Sequence, residues 1–149
     1  MIQRIQSVYL LISTLLTGSL FFLPLASLSN DESTFTLLYR GLDSGKELTT
    51  PTLALAILVC VATLVSFVTI FLFKKRMIQI RLCGLNMGFL IGTTGMIYFL
   101  GSQMAKELSA DISYHLPMFF PIVALIVTFL AIRAIGKDEA LIKSMDRIR

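Results

Sequence analysis

Few residues of this chain could do chemistry. His115 is its single histidine, two positions before Pro117 and four after Asp111. A metal site needs three or four nitrogen, oxygen or sulfur ligands brought together, and none cluster here, so His115 reads as an interfacial side chain at a helix start. A disulfide between Cys60 and Cys83 needs Cα atoms within about 7 Å. Their depths in the apolar segments differ by roughly ten helical residues at about 1.5 Å each, which assigns both to packing. The chain has no G-x-S-x-G, H-E-x-x-H or Walker loop. No ionisable residue lies mid-way along an apolar run, where proton relays and ion-coupled transporters place them. The expectation is a protein that is not an enzyme, with no catalytic residue, cofactor or metal.

The remaining polar groups of the apolar runs are Ser13, Thr14, Thr17, Ser19, Thr63, Ser66, Thr69, Asn86, Thr93, Thr94, Ser102, Gln103 and Thr128, mainly hydroxyls. Such groups bond their own backbone or a neighbouring helix and contribute about 0.6 to 2 kcal/mol. Asn86 is expected to be solvated near a membrane boundary, turned away from the glycines described below.

The elements holding these groups follow from composition. With 56% hydrophobic and 15% charged residues and a mean hydropathy of +0.83, the 149-residue chain is more apolar than soluble domains, which are about 45 to 50% apolar and 25% charged. It belongs in a membrane as one domain. Four runs are long enough to cross a hydrocarbon core of about 30 Å, which takes about 20 helical residues; they lie at about 5–29, 51–73, 82–105 and 116–132. The first has a competing reading as a cleaved signal peptide, but it exceeds the usual apolar core of about 7 to 15 residues. In the loop between the first two runs, Thr34 to Tyr39 is rich in strand formers and is followed by the turn signal Asp43-Ser44-Gly45, so a short strand or hairpin is expected there. Thr49 or Thr50 is expected to cap the second helix, with Pro51 in its first turn. Pro121 is expected to cost the fourth helix a backbone bond and bend it.

Within the third run Gly84, Gly88 and Gly92 are spaced four apart, and Gly95 follows at three. On a helix they share one face. In water each interior glycine costs about 1 kcal/mol relative to alanine, whereas in a bilayer small residues at this spacing let another helix approach closely. These four glycines are therefore expected to form the packing centre of a four-helix transmembrane bundle.

Cations divide unevenly across the runs. Ten lie on the side of the termini and three (Arg40, Lys46 and Lys106) on the other, giving formal charges of +7 and −3 that sum to the chain's +4. The positive-inside rule then places both termini in the cytoplasm. The basic pI of about 9.3 is explained by anionic lipid of the inner leaflet, and no nucleic-acid partner is invoked. The cytoplasmic face is formed by Arg4, Lys74, Lys75, Arg76, Arg81, Arg147 and Arg149. Residues 133–149 are expected to form a short cytoplasmic helix, amphipathic through Leu141, Met145 and Ile148, that anchors on the leaflet or docks a partner.

The opening Met1-Ile-Gln-Arg-Ile-Gln-Ser-Val-Tyr-Leu-Leu, the turn Lys74-Lys-Arg-Met-Ile-Gln-Ile-Arg-Leu-Cys83 and the closing Ala134 to Arg149 resemble a family of small four-span inner-membrane proteins of Bacteroidota, a domain of unknown function. The resemblance covers essentially the whole chain. It implies four spans and a bacterial inner membrane and supplies no activity. The resulting expectation is an all-α, four-helix membrane protein with a short extracytoplasmic loop region and a cytoplasmic C-terminal helix. Its expected role is a non-catalytic accessory or scaffold subunit that meets a larger membrane or cytoplasmic complex, or lipid, through its basic face. The alternative is a small channel or a lipid- or quinone-binding carrier.

Overall fold

The structure, a computed structural model, describes residues 3–30, 33–43, 48–73 and 75–146. Four helices carry the fold: α1 (Gln3–Ser19), α2 (Leu53–Phe71), α3 (Arg76–Leu108) and α4 (Phe120–Asp146). Five strands lie in the connections: β1 (Ala26–Asn30), β2 (Ser33–Leu38), β3 (Gly41–Asp43), β4 (Leu48–Pro51) and β5 (Asp111–Tyr114). Each helix packs on its neighbour in the chain, and α4 closes the ring against α1. Three stretches, Leu53–Phe71, Arg76–Leu108 and Leu116–Met145, are long and apolar enough to cross a membrane, and α1 holds a shorter apolar helix.

The all-α expectation is corrected by the strands, which form one antiparallel sheet in the order β4-β3-β2-β1-β5. Strand β1 pairs with β2, Leu28 opposite Phe35, and on its other side with β5, Leu28 opposite Ile112. It thereby ties the α1–α2 connection to the α3–α4 connection. Alternation places Ala26, Leu28, Leu37 and Leu42 on the buried side, against Leu55 and Val59 of α2 and Ile97 and Met104 of α3. At the opposite end Leu10, Cys83, Ala131 and Ile135 form a second core. The third core, Ala62, Leu90 and Ala124, lies midway along the helices.

Helix α1 ends ten residues before the apolar run does. Pro24 lacks an N–H and disfavours helix at Leu23, so the chain leaves α1 through turn bonds such as Leu23 N–H to Ser19 O (3.1 Å). Beyond it Ala-Ser-Leu-Ser-Asn alternates with period two, a strand pattern that mean hydropathy does not separate from helix. The expected strand at 34–39 is present as β2; the turn residues Ser44 and Gly45 lie outside the described residues. Glycine at position 41 is required locally, because its φ of 151° is a conformation other residues rarely adopt.

The starts of α2 and α4 also differ from expectation. Pro51 ends β4 at the sheet edge, where a missing N–H removes no ladder bond. Thr52 precedes the helix without a side-chain cap, its N–H donating to Arg40 O at 3.1 Å. A 3-10 turn at Leu116–Phe119 takes up Pro117, which leaves Pro121 in the first turn of α4, where its missing N–H costs nothing. The tail is no separate helix: α4 runs unbroken through Arg133 to Asp146, about 40 Å at 1.5 Å per residue.

The glycine expectation is overturned within the chain. Gly84, Gly88, Gly92 and Gly95 all lie exposed. A Cβ added at 84, 88 or 95 meets nothing within 4 Å, and at 92 only Leu58 Cδ2 at 3.9 Å. Helix α3 instead buries Gln79, Cys83, Asn86, Leu90, Thr93, Ile97, Gly101 and Met104. That face carries the amides that need partners and the large side chains that fill the core, whereas the glycine face offers no volume to bury. The glycine that is packed is Gly101, where an added Cβ would lie 2.8 Å from Ile112 Cδ1 and 3.1 Å from the Tyr114 hydroxyl of β5.

Two results follow. In thermal unfolding in detergent, Gly101→Leu should lose about 1 to 3 kcal/mol through overpacking, while Gly88→Leu should stay within about 0.5 kcal/mol of the parent. Ser109 closes α3 in a left-handed conformation, φ 47°, with Ala110 N–H to Ala105 O at 3.0 Å. Ser109→Gly should therefore stabilise by about 1 kcal/mol.

Candidate functional site

Two groups of residues stand out: polar side chains sealed between the helices, and cations gathered at the end that carries the α2–α3 turn and the far part of α4.

The interior polar groups pair adjacent helices. Ser13 of α1 and Thr128 of α4 share a hydrogen bond of 3.0 Å. Asn86 Nδ2 of α3 donates to Ser66 Oγ of α2 at 2.7 Å, and Gln79 Nε2 donates to the Thr69 carbonyl at 3.2 Å. Asn86 is 1% exposed, so its expected solvation is corrected: α3 starts at Arg76, which leaves Asn86 ten residues inside the helix and facing α2. Several hydroxyls also bond their own helix, as in Thr93 Oγ1 to Phe89 O at 2.8 Å. Among the described residues the amide oxygens of Gln79 and Asn86 have no hydrogen-bond donor.

Nearer the chain ends, Gln6 Nε2 donates to Asp138 Oδ2 and lies 3.4 Å from the Ala134 carbonyl. Both side chains are buried, at 4% and 6% exposure, and Asp138 Oδ1 lacks a partner among the described residues. Burying an acid without a hydrogen-bonding partner is costly, so Gln6 holds the α1–α4 contact in register. Sequence reading missed this pair because Asp138 was placed in a solvated tail. The signal was available in α4's uninterrupted helical spacing, with Ala124, Thr128, Ala131, Ile135 and Asp138 buried along one face.

Of the expected basic face, Lys75 and Arg76 are brought together. With Lys143, Glu139, Ile78 and Ile142 they line a crevice of ≈ 540 Å³ between the start of α3 and the far part of α4. Arg81 is exposed and does not line it. Lys74, Arg147, Arg149 and the side chain of Arg4 lie outside the described residues. Lys143, one of the ten cations on the side of the termini, pairs with Glu139 at 2.9 Å, as their i, i+4 spacing leads one to expect. His115, with its backbone N–H donating to Leu25 O at 3.0 Å, sits at the sheet end. Cys60 is exposed and Cys83 buried, both as free thiols. Among the described residues no group of three or more metal-ligating side chains occurs.

A second crevice, of ≈ 400 Å³, opens between α2 and α3 near the sheet, lined by Leu53, Ala54, Met96 and Leu100 with Gln103 and Glu107.

Against known sequences, the family model described as Domain of unknown function (DUF4293) matches residues 2–148. The chain belongs to this family. No curated protein matches it. In this DUF4293 chain the matched region takes in all four helices and the whole sheet, so the interior polar pairs and the basic crevice both lie inside the family's domain.

The Gln6–Asp138 pair gives a direct test. Gln6→Leu strands a buried carboxyl and should lose about 1 to 3 kcal/mol, whereas Gln6→Leu with Asp138→Leu should recover much of that loss. A double-mutant cycle on unfolding midpoints reads the coupling.

Proposed function

We propose that the chain is a multi-pass protein of the bacterial inner membrane with four spans and both termini cytoplasmic. In this reading it is a non-catalytic accessory or scaffold subunit of a larger complex. The observation that carries the reading is the outward stripe of Gly84, Gly88, Gly92 and Gly95. Glycine is weak helix material, and among the described residues a Cβ at 84, 88 or 95 would meet nothing within 4 Å and one at 92 only Leu58. A helix from another chain is what such a face accommodates in a bilayer. Exposed Leu85, Ile91 and Phe99 on the same helix suit a hydrocarbon surrounding. The charge bias of +7 over −3 supports the orientation, with the cations around the α2–α3 turn and the α4 terminus available to anionic lipid or to a cytoplasmic partner. Helix α1 is short for a span at about 25 Å, but the apolar turn residues Leu20 to Leu23 carry the apolar stretch beyond its end.

A second reading, a lipid or quinone carrier, draws on the crevice between α2 and α3. Its apolar wall of Leu53, Ala54, Met96 and Leu100 and its polar rim of Gln103 and Glu107 have the composition of a pocket for an amphiphile.

Affinity purification of the tagged chain from its native membrane in mild detergent, followed by mass spectrometry, separates the two. The subunit reading expects a stoichiometric partner whose recovery falls about tenfold or more with Gly88→Leu while the isolated chain keeps its fold. A chain recovered alone with one defined lipid or quinone, lost on Leu100→Glu, would favour the carrier and overturn the subunit.

A further inference from the structure

The crevice at the start of α3 is lined by three cations, Lys75, Arg76 and Lys143. Nη1 of Arg76 is buried and has no hydrogen-bond partner among the described residues. A guanidinium does not give up its charge, and its planar donors match the oxygens of a phosphate. Lys75 and Lys143 stand around the same space of ≈ 540 Å³. Among the described residues the one carboxylate on its wall, Glu139, is engaged by Lys143 at 2.9 Å, and neither Lys75 nor Arg76 has an ion pair there. The first turn of α3 adds the positive end of a 33-residue helix.

The rest of the lining is apolar. Met77, Ile78 and Ile142 complete the wall, and each is exposed, at 53%, 42% and 39%. Phe71 and Phe73, at the end of α2 just before the turn, are exposed as well. The occupant therefore has an anionic group with phosphate geometry joined to an apolar body.

We propose that this crevice binds the headgroup of an anionic glycerophospholipid, its phosphate taken by Arg76 with Lys75 and Lys143 beside it and its acyl chains lying along Ile78 and Ile142. The inference rests on the membrane reading above and adds to it a defined site in place of diffuse attraction to the leaflet.

The test is native mass spectrometry of the full-length chain, released from micelles doped with phosphatidylglycerol, diphosphatidylglycerol or phosphatidylcholine. The proposal expects saturable binding of the two anionic lipids over phosphatidylcholine. It expects about a tenfold loss of affinity in Arg76→Gln, the scale of losing one charge-assisted contact, and no loss in Arg81→Gln, whose side chain is outside the crevice. Should Arg76→Gln not fold, Lys75→Gln carries the same expectation in direction, and Arg76→Lys should restore partial binding. Equal binding by Arg76→Gln and parent, or equal losses at Arg76 and Arg81, would overturn the site. Saturable binding of inorganic phosphate alone, displacing the lipid, would overturn the lipid assignment. Carbonate extraction and protease access to residues beyond Arg133 in proteoliposomes report insertion and sidedness separately, so failure of the membrane reading is distinguishable from failure of the site.

Discussion

The fold depends on the two-sided pairing of β1. Its five residues pair with β2 on one side and four of them with β5 on the other, so the connections after α1 and after α3 become parts of one sheet. Without that strand, the segment between α3 and α4 would have unpaired backbone groups, and the buried leucines at this end would lose their cover. Leu28, Leu37 and Leu42 would then face water instead of Leu55, Val59 and Ile97. Burial of such side chains is worth about 1.5 to 3 kcal/mol each, and it is available only once the strands align. The close approach of β5 to α3 explains why Gly101 sits where it does, since a side chain there would push Ile112 and Tyr114 away.

The other end is held by different means. Four helix termini converge there on a small core of Leu10, Cys83, Ala131 and Ile135, supplemented by polar bonds that each join two helices: Gln6 to Asp138 and Gln79 to Thr69. Polar contacts between membrane helices are individually modest, on average near 0.6 kcal/mol by measured coupling. Their greater effect is on register, because a buried amide or carboxyl rotated out of place loses its partner. The resulting body has a strand-covered end and a basic end: the cationic crevice lies at the basic end, the glycine stripe on the outward face of α3, and the α2–α3 crevice near the sheet.

The glycine spacing shows how a correct pattern leads to a wrong placement. Positions 84, 88, 92 and 95 do share a helical face, as their spacing requires, but spacing does not say what that face meets. The opposite face carries Asn86, Leu90, Thr93 and Ile97, and one face of α3 must turn inward. Polar groups needing partners and side chains able to fill space took the interior, which left the glycines to the outside. Asp138 is the complementary case: charge alone assigned it to solvent, and only the continuation of α4 past Arg133 brought it against Gln6.

What the sequence determined by itself was the apolar class of the chain, the approximate positions of α2, α3 and α4, a strand expected at 34–39 and found at Ser33–Leu38, and the gathering of cations on the side of the termini. These follow from local quantities, namely hydropathy, period and charge, that need no partner to be defined. The tertiary structure decided the end of α1 at Ser19, the roles of β1 and β5, the outward face of the glycines, and the union of Lys75 and Arg76 with Lys143 in one crevice. Each of these depends on which segment packs beside which. A strand such as Ala26–Asn30 has the same hydropathy as the end of a span until β2 and β5 supply its hydrogen bonds, and a lysine 67 residues after Arg76 becomes its neighbour only when α4 folds back along α3.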